Sequence, residues 1–199
     1  YNAPMNWTQS YGTPRFIGQI YITYADGSED IILTDETWKA SKSPIVMDLI
    51  YQGEHYDARL EQPGWNAPGF DDSSWENAVL RKSPEGRMKA HMSPADKVME
   101  QIKPVAVIKS SDGKYYVDFG QEISGWVRIS GVKGNAGRVI DFDYICESEN
   151  GDNTYTMSGK GEESYAARFT WFVFRQVAVN NWPGNLSADQ IMAEAVYTG

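Results

Sequence analysis

Gly53-Glu54-His55-Tyr56-Asp57-Ala58-Arg59-Leu60, continuing from Glu61 to Trp75 as EQPGWNAPGFDDSSW, is the stretch on which the fold turns. Its first part alternates. Tyr51, Gly53, His55, Asp57, Arg59 and Glu61 share one face by period two, and Gln52, Glu54, Tyr56, Ala58 and Leu60 share the other. This predicts a strand reaching Glu61, with a negative-positive-negative row of Asp57, Arg59 and Glu61 on one side. Glu54 and Asp57 fall on opposite faces, which argues against a glycosidase acid/base pair, because such carboxylates flank one scissile bond. Two roles stay open for the row: an ion-paired strand face, or a set of hydrogen-bonding groups for a ligand.

Beyond the strand, Pro63-Gly64 and Pro68-Gly69 supply turns. Trp65, Phe70 and Trp75 are large apolar anchors suited to pinning the loop to a core. Ser73-Ser74-Trp75-Glu76 matches a capping box and predicts a short helix, with Asp71 and Asp72 at its positive end. The same acidic pair offers carboxylate oxygens that suit calcium, although helix capping accounts for both residues.

Upstream, Phe16, Gly18, Ile20 and Ile22 alternate with Ile17, Gln19, Tyr21 and Thr23, and Ala25-Asp26-Gly27-Ser28 reads as a hairpin turn. Ile31 to Leu33 and Trp38 to Ala40 return as strand. Residues 81–96, rich in charge, Pro and Met, read as a linker. Downstream, short strands are predicted at Val105–Lys109, Tyr115–Phe119, Gly125–Val132, Arg138–Ile145, Thr154–Met157, Tyr165–Phe169, Phe172–Val179 and Ile191–Tyr197. Gly-rich turns separate them. The fold class is all-β: an antiparallel β-sandwich of jelly-roll type over 91–199, preceded by a smaller, incomplete β-subdomain over 1–90.

The formal net charge of -9 argues against nucleic acid and anionic membrane as partners. No signal peptide and no transmembrane run is found. The single Cys146 lies in an apolar strand pattern and reads as a buried, inert thiol; with His55 and His91 as the two histidines, a nucleophilic triad is not expected. The acidic run Glu147-Ser148-Glu149-Asn150-Gly151-Asp152 reads as a solvated turn.

Gly53-Glu54-His55-Tyr56-Asp57-Ala58-Arg59 resembles the G-E-x-Y-D-A-R signature of bacterial α-L-rhamnosidases, glycoside hydrolase family 78. Tyr24 to Ser28 and Thr34-Asp35-Glu36-Thr37-Trp38-Lys39-Ala40 are similar to the family's Y-A-D-G-S and T-D-E-x-W-K-A runs. Asp118-Phe119-Gly120-Gln121 and Gly125-Trp126-Val127-Arg128 resemble its D-F-G-Q-N-x-x-G-W-V-R, with Glu122 in place of the Asn. Tyr165 to Thr170 resembles Y-E-P-R-F-T. Trp171-Phe172-Val173-Phe174-Arg175 stands where the family reads Y-H-G-F-R, so its His and Gly are replaced. Ser93 to Ile102 fits a capped helix start on local pattern alone; the resemblance implies an extended strand there instead.

In the family, hydrolysis belongs to a following (α/α)6 barrel, and nothing in this chain matches its catalytic motif or its long helices. The resemblance therefore implies a non-catalytic accessory portion of a rhamnosidase-like enzyme, over a partial N-terminal domain (1–90) and a concanavalin-like domain (91–199). Its expected partners are the catalytic barrel or a rhamnose-containing glycan. Glu54, Asp57 and Arg59 are the hydrogen-bonding candidates and Trp65 the stacking candidate for the glycan. No catalytic residue, metal ligand or cofactor is assigned, calcium being the one weak exception. An extracellular or periplasmic setting is implied, and self-association through Phe16, Ile20, Ile22 and Trp38 is expected if that face stays uncovered. A freestanding carbohydrate-binding module and a structural assembly domain are the alternatives.

Overall fold

The structure is a computed structural model and describes residues 15–50, 52–82, 89, 92–145 and 151–199. Cys146 and His91 lie outside the described residues, as do half of the linker and most of the acidic run. Among the described residues the strands are β1 (Gln19–Thr23), β2 (Glu29–Leu33), β3 (Lys39–Ala40), β4 (Ile45–Leu49), β5 (Gly53–Asp57), β6 (Glu76–Asn77) and β7 (Asp96–Ile102). They continue as β8 (Ala106–Lys109), β9 (Tyr115–Val132), β10 (Val139–Ile145), β11 (Asp152–Thr156), β12 (Glu163–Ala166), β13 (Phe172–Asn180) and β14 (Ile191–Thr198). Short 3-10 turns follow β5 at Ala58–Leu60 and precede β14 at Ala188–Gln190. No described helix is long and apolar enough to cross a membrane.

The chain forms two compact units. The smaller draws on Tyr1–Ser41 and Trp65–Gly86, the larger on Lys42–Gly64 and Arg87–Gly199. In the smaller unit β1 and β2 make a hairpin with Ile20 opposite Ile32 and Tyr21 opposite Ile31. The turn is closed by the Gly27 N–H donating to Tyr24 O at 2.9 Å, and Asp26 Oδ1 accepts from the Ser28 N–H. Trp38 donates its indole N–H to Leu33 O at 3.0 Å and lies 6.3 Å from the Phe16 ring. β3 pairs with β6.

The helix expected from Ser73 does not form. Asp71 Oδ1 accepts from the Ser73 N–H at 3.0 Å, and the Trp75 N–H donates to Asp72 O at 2.9 Å. An aspartate that captures the backbone two residues on makes a turn in competition with a helix, and the chain passes directly into β6. Phe70 and Trp75 pack edge to face at 5.6 Å.

The larger unit holds one ten-stranded sheet in the order β4-β5-β11-β10-β13-β9-β14-β7, with β8 and β12 also paired to β9. The sequence pattern predicts two strands where β9 is one, spanning 18 residues. Its first half lies between β8 and β13, its second between β12 and β14, so one strand feeds two pairs of neighbours and the sheet curls into a sandwich-like all-β fold. The alternation falters where Gly120 takes φ +77 and Gln121 and Glu122 are exposed, which explains the apparent break in pattern. Ladders are antiparallel except β5 against β11, where Tyr56 lies opposite Tyr155 in parallel register. β7 is the extended strand that the family pattern implied.

The core is built from alternate residues: Val117, Phe119, Ile123, Val127 and Ile129 of β9, Ile140, Phe142 and Tyr144 of β10, and Phe172, Phe174, Val177 and Val179 of β13. Each such side chain contributes about 1.5–3 kcal/mol on burial. Tyr144 stacks on Phe172 at 4.5 Å and meets Phe174 edge-on at 4.8 Å.

Candidate functional site

Alternation in β5 points Glu54, Tyr56 and, beyond the strand, Ala58 into the core of the larger unit. Glu54 is 0% exposed. Its Oε1 accepts from the Tyr165 hydroxyl at 3.0 Å and its Oε2 from the Arg168 N–H at 3.1 Å. The Glu54 N–H in turn donates to Asn153 Oδ1 at 2.9 Å, and Asn153 Nδ2 donates to the Tyr144 hydroxyl. Burial pushes the Glu54 carboxyl above its ordinary value, and the donors from Arg168 and Tyr165 offset part of that rise. The carboxylate proposed for a ligand is therefore an internal tie between β5 and the β12–β13 loop, with both oxygens engaged.

Around it stands a group of tyrosines. Tyr56, Tyr155 and Tyr165 lie within 5.8 Å of one another by ring centroid, and the Arg168 guanidinium sits 5.4 Å over Tyr56. The Tyr56 hydroxyl donates to Glu61 at 2.7 Å, and burial, helped by this bond, drives its pKa up to about 12. The Tyr155 hydroxyl donates to Glu163, whose carboxyl also accepts the Ser158 and Gly159 N–H groups. Burial alone would raise Glu163, but these donors outweigh it and hold the group below its ordinary value.

The row expected from Asp57 to Glu61 is only half present. The strand ends at Asp57 because its carboxylate caps the following turn, accepting the Arg59 N–H at 3.0 Å. The turn brings Arg59 back on Asp57 in a two-point pair, Nε at 2.9 Å and Nη2 at 2.7 Å. The Arg59 hydrogen bond lowers the Asp57 pKa. Glu61 leaves this row for Tyr56. Trp65 is not an anchor: it is 62% exposed and belongs to the smaller unit. The four sequence candidates thus divide into one buried carboxylate, one surface ion pair and one open indole. In the acidic pair, Asp72 is bound to Lys39 at 2.7 Å and Asp71 is occupied by its own turn. Among the described residues no three His, Cys, Asp or Glu side chains are grouped to hold a metal ion.

Two polar nodes on the larger unit escaped the sequence reading. Asp118 accepts from Arg175 at 2.9 and 3.2 Å, from Gln176 at 2.8 Å and from the Gly120 N–H at 2.7 Å. These donors, Arg175 first, hold its carboxyl well below the usual range. Glu194, in the otherwise apolar Ile191–Thr198 strand, is 1% exposed. It accepts from the Arg128 Nε, from the Trp126 indole at 2.8 Å and from Gln101 at 3.1 Å. Burial raises Glu194, yet the three donors win and its pKa is lowered. Period two places Trp126 and Arg128 on one face of β9, a readable signal; that Glu194 opposes Trp126 requires the β9–β14 register.

Two family models match, and together they span nearly the whole chain: the α-L-rhamnosidase N-terminal domain over residues 2–100 and the bacterial α-L-rhamnosidase concanavalin-like domain over 108–148 and 144–197. An α-L-rhamnosidase of Formosa agariphila is 34% identical over 95% of this chain and one of Streptomyces avermitilis 31% over 99%. The chain spans about a fifth of these curated relatives, 22% and 20% of their lengths. Among solved structures, an α-L-rhamnosidase of Dictyoglumus thermophilum matches with a TM-score of 0.84 and 33% identity, covering 92% of this chain and 22% of that one. The Streptomyces avermitilis α-L-rhamnosidase complexed with L-rhamnose matches at 0.83 and 31%, over 92% of this chain and 19% of that one. The chain belongs to the bacterial α-L-rhamnosidase family, in which it corresponds to the N-terminal, non-catalytic region.

Proposed function

We propose that this chain is the accessory portion of an α-L-rhamnosidase-like glycoside hydrolase, bracing the catalytic part of the polypeptide and contacting rhamnose-containing glycans. The observation that carries the first half is the use made of its buried carboxylates. Glu54, Glu163 and Glu194 are each closed by internal donors, and Asp57 is closed by Arg59. A pair of carboxyl groups flanking an open space, as glycoside hydrolysis needs, is not formed by them. The similarity to relatives some five times longer supports a role within a larger enzyme.

The contact with glycan rests on exposed aromatic surface. An open indole such as Trp65 offers a flat apolar face against which the C–H bonds of a pyranose can pack. Saturation-transfer NMR of the chain with methyl α-L-rhamnopyranoside, with and without calcium, tests this part. Transfer to the sugar is expected at millimolar concentration. Its absence in both conditions contradicts the glycan role and leaves a bracing or assembly role.

A further inference from the structure

The face of the larger sheet around Glu194 has a feature that core packing does not call for. Glu194, Trp126 and Arg128 stand on the opposite side of their strands from the buried Val127, Ile129 and Ala193. A carboxylate at this place is normally free to reach water. Here it is removed from water, which is costly unless the charge is paired and hydrogen-bonded. Its three donors meet that cost, and in doing so they fix the orientation of one guanidinium, one indole and one amide. Arg128 gives Glu194 its Nε, and its side chain stays 40% exposed. The ion pair also cancels the Arg128 charge locally.

Two exposed aromatic side chains lie on the β12–β13 loop, which runs between the pairings of Ala166 with Arg128 and of Phe172 with Gly125 and so passes beside Trp126. Phe172 pairs with Gly125 and is buried, whereas Trp171, one position earlier and just outside β13, is exposed. Trp171 is 44% exposed and Phe169, two positions before it, is 62% exposed. Between them Thr170 is buried and the Arg168 N–H is held by Glu54, so the β12–β13 loop that carries both rings is tied down. Exposed aromatic rings on a tethered loop thus border the part of β9 that carries Trp126 and Arg128, the latter in a locally neutral guanidinium–carboxylate pair.

Resting on the glycan role above, we infer that Trp171, Trp126 and Arg128, oriented by Glu194, form a carbohydrate-contacting platform on the larger unit that takes a neutral pyranoside. The chemistry favours that class. An aromatic face suits the apolar face of a pyranose, and the planar guanidinium can donate in parallel to neighbouring hydroxyls. Its neutralised charge offers little to an anionic sugar. Side chains already locked in place lose little freedom on binding, which suits a small ligand with few contacts.

The test is a 1H–15N NMR titration of the full chain with methyl α-L-rhamnopyranoside, following the indole N–H signals assigned by single Trp→Phe variants. Saturable shifts of the Trp126 and Trp171 signals are expected. Trp171→Ala should weaken binding by about tenfold, as for loss of one aromatic contact, with the rest of the spectrum retained. Tyr21→Ala, an exposed ring on the smaller unit, should leave it unchanged. Glu194→Gln should weaken binding while keeping the fold, since it frees Arg128 without removing a ring. Binding that Trp65→Ala abolishes and Trp171→Ala does not would overturn the platform while leaving the glycan role intact. Absence of shifts at any indole would overturn both.

Discussion

The Tyr165 hydroxyl and Glu54 Oε1 meet at 3.0 Å across 111 positions of sequence, joining β5 to the end of β12 inside the larger unit. The next residue beyond that strand to reach Glu54 is Arg168, through its backbone. Glu54→Ala leaves the buried Tyr165 hydroxyl and the part-buried Arg168 N–H without their acceptor. An unmet buried donor costs about 1–3 kcal/mol, so a loss of roughly 2–4 kcal/mol of unfolding free energy is expected by urea titration. Glu54→Gln, which keeps an acceptor, should lose less than half of that. Equal stability of the alanine variant and the parent would contradict the structural role.

Glu54 and Glu194 should give opposite pH signatures. The Glu54 pKa is raised above 4.5 by burial. Its contribution is present below the unfolded value and is lost as pH rises through the folded one. The Glu194 pKa is lowered despite burial by Arg128, Trp126 and Gln101. Its contribution is present above the unfolded value of 4.5 and is lost as pH falls through the folded one. Denaturation curves taken across that range should show Glu194→Gln flattening the acid limb. Glu54→Gln should instead flatten the decline toward neutral pH. The same change in both variants would mean that neither assignment holds.

Gly53 opens β5 with φ +101, and a Cβ placed there would lie 1.8 Å from Asp152 O. The backbones of β5 and β11 thus approach where only glycine fits. Gly53→Ala should cost more than about 3 kcal/mol or prevent folding of the larger unit. Gly64→Ala is the control: φ is +84, but no atom lies within 4 Å of the added carbon. It should cost about 1 kcal/mol, the strain of a left-handed alanine. Circular dichroism melts of the two variants decide the point.

The β1–β2 hairpin leaves Ile20, Tyr21, Ile31 and Ile32 exposed, and its outer edges carry no ladder among the described residues. Open edges and apolar patches of this kind promote association. Sedimentation velocity should show a concentration-dependent increase in mass, reduced by the paired change Ile20→Lys and Ile31→Lys. A monomer at every concentration would remove the self-association proposal.

Much of the larger unit was legible because a half-buried strand writes period two into its sequence. Val117, Phe119, Val127 and Ile129, and Ile140, Phe142 and Tyr144, alternate cleanly and are all in the core. The inward face of Glu54 and Tyr56 was readable for the same reason, but not that Glu54 is sealed, because Tyr165 and Arg168 are more than a hundred positions away. The parallel β5–β11 pairing was hidden likewise: register between distant strands leaves no local mark. Ser73 misled because a capping box and an aspartate turn share residues, and Asp71 took the backbone first. Trp65 misled because large aromatics are usually buried, whereas this one, in the loop between two Pro-Gly turns, is 62% exposed.

Under the proposed function this region folds and serves a rhamnosidase-like enzyme without performing its chemistry. Incubation of the purified chain with 4-nitrophenyl α-L-rhamnopyranoside, followed by nitrophenolate release, tests it most directly. No release above buffer is expected from protein whose NMR spectrum shows it folded. Release that copurifies with the chain and is abolished by Glu54→Gln or Asp57→Asn would contradict the claim.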